Sequence, residues 1–229
     1  MFHSLVRSVA VPAVRLLCRP VVEGAVNVPR RGRVILAGNH LSFIDSVVIN
    51  LVAPRPVAFL AKADYFRGRG VKGRAVRGFF GAFGAVPVER GGGRSALGSL
   101  EVARQVLDGE GVFGIYPEGT RSLDGRLYRG RTGVAWLALS SGAPVVPVAL
   151  SGTERLQPVG RRVPRPHRVT VRFGKPLHFS ERYDGVCTGA ARRAVTDEIM
   201  RAIGELSGQE RVASYNELPS GAAAGAGRG

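Results

Sequence analysis

Apolar residues along this chain fall in short runs separated by polar clusters, and the runs carry the first structural information. Val34 to Ala37, Val57 to Ala61, Ala85 to Val88, Val112 to Tyr116, Val145 to Leu150 and Val169 to Phe173 are rich in Val, Ile and Phe and read as strands. Their near-continuous apolar character predicts burial on both faces. Phe43 to Val52, Arg94 to Leu107, Thr132 to Ser140 and Thr188 to Leu206 read as helices. This alternation predicts an α/β fold, with a largely parallel central sheet flanked by helices. Ligands of such sheets gather beyond the carboxyl ends of the strands. The polar clusters fall there: Asn39 to Asp45 after the first run, Glu89-Arg90 after the third, Pro117 to Ser122 after the fourth. No segment repeats, which excludes a solenoid.

The first 22 residues follow a different pattern. On a helical wheel Phe2, Leu5, Val6, Val9, Ala13, Leu16 and Leu17 share one face, while His3, Ser4, Arg7, Ser8, Arg15 and Arg19 share the other. Residues 1–22 are therefore expected to form an amphipathic helix at a membrane interface. Residues 23–207 form one domain, and residues 208–229 are expected to be a disordered tail ending in a Gly- and Ala-rich stretch. No run approaches the roughly twenty apolar residues of a spanning helix, and Arg7, Arg15 and Arg19 break up any signal-peptide core.

Composition adds one strong constraint. The 229 residues are 45% hydrophobic, as in a folded domain, but carry a net charge of +16. That charge suits a polyanionic partner: an anionic membrane surface, a phosphate-bearing substrate or a nucleic acid. Only Lys62, Lys72 and Lys175 are lysines, so arginine dominates, and coding bias accounts for part of that excess. A nucleic-acid-binding module would show a zinc pattern, a ribonucleoprotein motif or a helix-turn-helix, and none is present. Cys18 and Cys187 fit neither a metal spacing nor a disulfide framework. Gly68 to Gly73 matches a dinucleotide fingerprint only formally, because the first glycine does not leave a strand.

The chemistry concentrates in three places. In Asn39-His40-Leu41-Ser42-Phe43-Ile44-Asp45, Ser42 and Asp45 fit a helix-capping box, with Ser42 accepting from the N3 amide and Asp45 from the Ser42 amide. That pattern leaves Asn39 and His40 unexplained. The alternative is a His40–Asp45 pair, in which the carboxylate fixes the imidazole tautomer and the free nitrogen takes a proton. "IYPEGTRS", residues 115–122, places Glu118, Gly119, Thr120 and Arg121 on a turn at the sheet edge. "GAVPVER", residues 84–90, ends in Arg90 just after a strand. Arginine suits bidentate binding of phosphate.

These motifs resemble, in order and spacing, those of the glycerophospholipid acyltransferase family, most closely its bacterial 1-acyl-glycerol-3-phosphate acyltransferases. His40 and Asp45 match its H-x4-D motif, and "YPEGTRS" is similar to its F-P-E-G-T-R-S motif with Tyr116 at the aromatic position. "GAVPVER", "RGRTGVAWLALSSG" and "APVVPVALSGTE" resemble three further blocks, with Arg131 where lysine is common. The resemblance covers about Val22 to Leu177. It implies acyl transfer from acyl-CoA or acyl carrier protein to the hydroxyl of lysophosphatidate, with His40 as general base and Asp45 orienting it. Glycerol 3-phosphate, another lysophospholipid or a glycolipid is an alternative acceptor. The resemblance also implies that Arg90 and Arg121, with Lys62, hold the acceptor phosphate. Glu118, Gly119 and Thr120 shape the acceptor pocket, direct attack makes a Ser42 nucleophile unnecessary, and no metal or cofactor beyond the thioester is required. Lipid substrates point to peripheral attachment at the cytoplasmic face of the cell membrane.

Overall fold

A computed structural model describes residues 12, 14–62, 70, 73, 78, 85–88, 92–161, 163–183 and 186–217. Among the described residues seven strands form one sheet: β1 (Val21–Glu23), β2 (Val34–Gly38), β3 (Val57–Lys62), β4 (Ala85–Val88), β5 (Val112–Ile115), β6 (Val145–Ser151) and β7 (Thr170–Phe173). Their spatial order is β1-β7-β6-β2-β5-β3-β4. Strands β2 to β6 all run the same way. Strand β7 pairs antiparallel with β6, and β1 runs parallel to β7. The largely parallel α/β sandwich expected from the alternation is thus the observed fold.

The apolar runs explain the layers. All five residues of β2 are buried, and successive side chains point to opposite faces. Val34 and Leu36 pack with Val47, Val48, Ile49 and Leu51 of α1 (Asp45–Val52). Ile35 and Ala37 pack on the other face. There they meet α2 (Gly92–Asp108), α3 (Gly133–Ser141) and α6 (Gly189–Ser207) through Ala103, Leu107, Leu137, Val195 and Ile199. Truncating a fully enclosed residue such as Ile35 or Leu36 to Ala is expected to cost about 2–5 kcal/mol. Two short helices, α4 (Thr153–Leu156) and α5 (Ser180–Tyr183), and a 3-10 turn at Ala25–Asn27 complete the described elements.

Two expectations change at the ends of the chain, and part of one lies outside the described residues. Residues 1–11 and 13 of the amphipathic helix lie outside the described residues. Residues 14–18 are helical, with Val14 and Leu17 packed on the core, Cys18 buried and Leu16 turned to solvent. The helix does not reach residue 22, because Val21–Glu23 add β1 to the sheet. Of the tail expected over 208–229, residues 208–217 are described and are ordered into the fold: Gly208 caps α6 in the left-handed conformation, with φ 68°. Residues 209–217 then fold back, and Leu127 forms a bridge with Arg211.

Candidate active site

Strand β2 ends at Gly38, and the chain turns through residues 39–44 before α1 begins at Asp45. Here the two sequence readings of Asp45 prove compatible. Asp45 Oδ2 lies 2.8 Å from His40 Nδ1 and also accepts from the amides of Leu41, at 2.7 Å, and Ser42, at 2.8 Å. A carboxylate oxygen already receiving two N–H groups is the acceptor toward the imidazole, so the ring proton sits on Nδ1. Nε2 then carries a lone pair and has no hydrogen-bond partner among the described residues. Asp45 is fully buried, while 19% of the His40 side chain remains exposed.

Ser42 departs from the capping expectation. Its hydroxyl donates to the carbonyl of Gln157 at 2.8 Å, and α1 has no side-chain cap at its N-terminus. Only half of the box forms, namely the bond from the Ser42 amide to Asp45. The buried Ser42 hydroxyl is thereby committed to structure.

His40 is held on three further sides. The Tyr116 ring stacks on the imidazole, with centroids 4.0 Å apart and planes 7° apart. The Tyr116 hydroxyl shares a 2.9 Å hydrogen bond with Ser46 Oγ. Removal of that hydroxyl from water pushes its pKa well above the ordinary tyrosine value, and the Asp45 charge adds to the effect. Phe59 stacks behind Tyr116 at 5.6 Å. It reaches that place because position 114 is glycine: a Cβ there would lie 2.1 Å from the Phe59 ring. The His40 carbonyl accepts from the Ser122 amide at 2.7 Å, tying this loop to the turn that follows β5.

That turn carries the second cluster. Glu118 is fully buried, and its oxygens accept from the amides of His40, at 3.2 Å, and Tyr128, at 3.0 Å. It therefore shapes the site as an internal brace between two loops. Burial raises its pKa to about 7; the two amide bonds oppose the shift, and the charges of Asp45 and Asp124 reinforce it. Gly119 has φ 79°, the left-handed region that favours glycine. The Arg131 side chain lies directly over it, so a Cβ there would come within 2.9 Å of Arg131 Nε. Thr120 and Arg121 are half-buried on the same turn. Asp124 binds Tyr128, Arg126 and Ser122, and these bonds hold its carboxyl well below the usual carboxylate range.

Of the remaining expected residues, Lys62 ends β3 on the same sheet edge, and its side chain lies outside the described residues. Arg90 lies outside them altogether. The structure also adds residues that motif reading did not assign. Asn39 is buried and exchanges hydrogen bonds with the Leu150 backbone, joining β2 to β6 beyond their last rung. Its amide also donates to Gln209 Oε1 at 2.8 Å. Gln209 donates onward to the Gly125 carbonyl, the Arg129 amide donates to the Ser214 carbonyl, and Asn216 donates to the Arg121 carbonyl. Tyr215 packs beneath the guanidinium groups of Arg129 and Arg131. Residues 209–216 thus form a strap across the turn that bears Glu118 and Arg121. Polar residues in an apparent tail carry no sequence signal for this contact.

The fold and site together define an α/β protein with a His–Asp dyad and an arginine-bearing turn at the carboxyl end of a parallel sheet. The chain belongs to the Acyltransferase family, whose model matches residues 19–151, and the resemblance seen in the motifs is borne out. It is 33% identical over 172 residues to the chloroplastic 1-acyl-sn-glycerol-3-phosphate acyltransferase LPAT1 of Arabidopsis thaliana, covering 74% of this chain and 46% of that protein. It is 30% identical over 133 residues to the 1-acyl-sn-glycerol-3-phosphate acyltransferase of Borreliella burgdorferi, covering 58% and 51%. The chain spans about half the length of these relatives. The crystal structure of the 1-acyl-sn-glycerophosphate acyltransferase PlsC from Thermotoga maritima superimposes with a TM-score of 0.66 at 28% identity, covering 89% of this chain and 79% of that one.

Proposed function

We propose that this protein acylates the free hydroxyl of lysophosphatidate, giving phosphatidate, with acyl-CoA or an acyl carrier protein thioester as donor. The observation that carries the reading is the 2.8 Å His40–Asp45 hydrogen bond, which leaves Nε2 without a partner among the described residues. Relatives named for this activity support the choice of acceptor. Nε2 takes the proton as the acceptor oxygen attacks the thioester carbonyl. The tetrahedral intermediate then breaks its C–S bond, and the departing thiolate takes the proton back from the imidazolium. Asp45 holds the ring and stabilises the imidazolium, and the stacked Tyr116 face adds a cation–π contribution. Arg121, with Arg90 and Lys62, holds the acceptor phosphate. A thioester is already activated, so the step requires no metal or further cofactor.

Both substrates are lipid-like, which favours peripheral work at the cytoplasmic face of a membrane. Among the described residues no helix is long and apolar enough to cross one. The test offers purified protein labelled acyl-CoA and acyl carrier protein thioesters against lysophosphatidate, glycerol 3-phosphate and head-group-bearing lysophospholipids. Lysophosphatidate is expected to be the preferred acceptor, and His40→Ala to lower turnover about 10²- to 10⁴-fold. Equal product from wild type and His40→Ala removes the proposed base. Preference for another acceptor reassigns the substrate within the same chemistry.

A further inference from the structure

Strand direction decides which segments share the sheet edge that carries His40. Strands β2 to β6 end there, and the oppositely directed β7 and β1 begin there. The His40 loop, the Glu118–Asp124 turn, the segment from α4 to β7 and the helical residues 14–18 are therefore neighbours on one edge. Several segments at this edge carry exposed apolar side chains. Val163 is 76% exposed, Leu16 73% and Val159 59%, and Leu123 and Phe43 are also exposed.

The loop over residues 157–168, Gln-Pro-Val-Gly-Arg-Arg-Val-Pro-Arg-Pro-His-Arg, is the centre of this surface. Its root touches the catalytic loop, because Ser42 Oγ donates to the Gln157 carbonyl. The Arg165 amide closes it onto the Leu156 carbonyl at 2.9 Å. Its far end joins the N-terminal helix, since the amides of His167 and Val169 donate to the carbonyls of Leu17 and Cys18. Arg155, Arg161, Arg165 and Arg168 are all exposed. Glu154 is the one acid in residues 152–169, and it lies 3.8 Å from Arg155. Exposed valines set among Arg161, Arg165 and Arg168, which have no carboxylate partner among the described residues, suit a surface that is apolar below and anionic above, as an acidic leaflet is. A nucleic acid would use the arginines but would leave Val159 and Val163 facing water.

We propose that residues 157–161 and 163–168, with Leu16 on the helix they join, form a docking foot for an anionic lipid bilayer. Val159 and Val163 enter the boundary between headgroups and acyl chains, and Arg155, Arg161, Arg165 and Arg168 lie on the phosphates. His40 then faces the leaflet through Ser42 and Gln157. The proposal rests on the lipid-acceptor reading above for its purpose, but the contact can be measured without turnover.

Full-length Val163→Trp is mixed with vesicles of phosphatidylglycerol and phosphatidylcholine carrying brominated chains. Its fluorescence is expected to be quenched beyond that of wild type, whose one tryptophan, Trp136, supplies the background. Val159→Asp/Val163→Asp and Arg161→Glu/Arg165→Glu are expected to lower vesicle co-sedimentation at least tenfold. Turnover of vesicle-borne lysophosphatidate falls with it, whereas turnover of a short-chain, water-soluble lysophosphatidate stays within about twofold of wild type, showing that the variants are folded. Unchanged sedimentation, no added quenching, or a loss of turnover with both acceptors overturns the foot. Quenching of Val163→Trp in a protein inactive on every acceptor leaves the foot standing and removes the functional reading.

Discussion

His40 is held at four points, two on its imidazole and two on its backbone, and each makes a separable contribution. Asp45 fixes the tautomer, Tyr116 covers one ring face, Glu118 holds the backbone amide and Ser122 holds the carbonyl. Gly114 belongs to this set although it touches no substrate, because its missing side chain lets Phe59 lie behind Tyr116. Gly114→Ala is expected to displace the Phe59 and Tyr116 rings and lower kcat about tenfold, with little change in acceptor KM. Steady-state kinetics on the vesicle-free acceptor check this, and an unchanged kcat would show that the stack does not position the base. Glu118 gives a pH signature. Its folded pKa of about 7 lies above the ordinary value of 4.5, so the folded state binds more protons between those values. Its contribution is fully present below about pH 4.5 and is lost as pH rises to about 7, a change of about 3 kcal/mol from this group. Denaturant unfolding across that window is expected to show the decline in wild type. Glu118→Gln should lack it, at the cost of leaving one of the two amides without an acceptor.

Among the elements, the strap of residues 209–216 is the part with the clearest unassigned task. It touches the site on both sides, through Asn39 before His40 and through the Arg121 carbonyl. Asn216→Ala removes one partly buried hydrogen bond, worth about 1 kcal/mol. If the strap sets the Arg121 turn, acceptor KM rises about fivefold with kcat unchanged, and Asn216→Gln restores less of it than wild type. A fall in melting temperature with unaltered KM would assign the strap to stability alone. The regular elements were legible in the apolar runs, because burial on both faces leaves a signal in Val34 to Ala37 and Val145 to Leu150 that needs no tertiary context. Strand β1 was not. Val21–Glu23 are three residues of an edge strand, too short to show a period and continuous with an amphipathic pattern. The strap was equally hidden, since Gln209 and Asn216 act through single hydrogen bonds to distant backbone. His40 and Asp45 were readable together because five residues and one turn separate them. The brace role of Glu118 was not, since it depends on the Tyr128 amide ten residues away.

At the scale of the whole molecule, the net charge of +16 and the exposed apolar residues at the His40 edge act on different ranges. Coulomb attraction between arginines and an acidic leaflet extends about one Debye length, roughly 8 Å at physiological salt, and weakens as salt is added. Burial of Leu16, Val159 and Val163 acts only at contact and is insensitive to moderate salt. The two parts can therefore be separated by titration. Raising sodium chloride from about 0.05 to 0.5 M, which shortens the screening length roughly threefold, is expected to weaken binding of the full chain to phosphatidylglycerol vesicles more than tenfold and to leave a salt-resistant remainder. Val159→Asp/Val163→Asp should lose that remainder and keep the salt-sensitive part, whereas Arg161→Glu/Arg165→Glu should do the opposite. Deletion of residues 1–13 provides the third arm, and it spares β1, which a cut after residue 22 would strip from the sheet. If the deletion alone abolishes both parts, attachment resides in the N-terminal segment and the 157–168 loop is only its neighbour. A remainder that survives the deletion but not the valine substitutions places the apolar contact beside His40, where an acceptor could pass from the leaflet to Nε2 without crossing water.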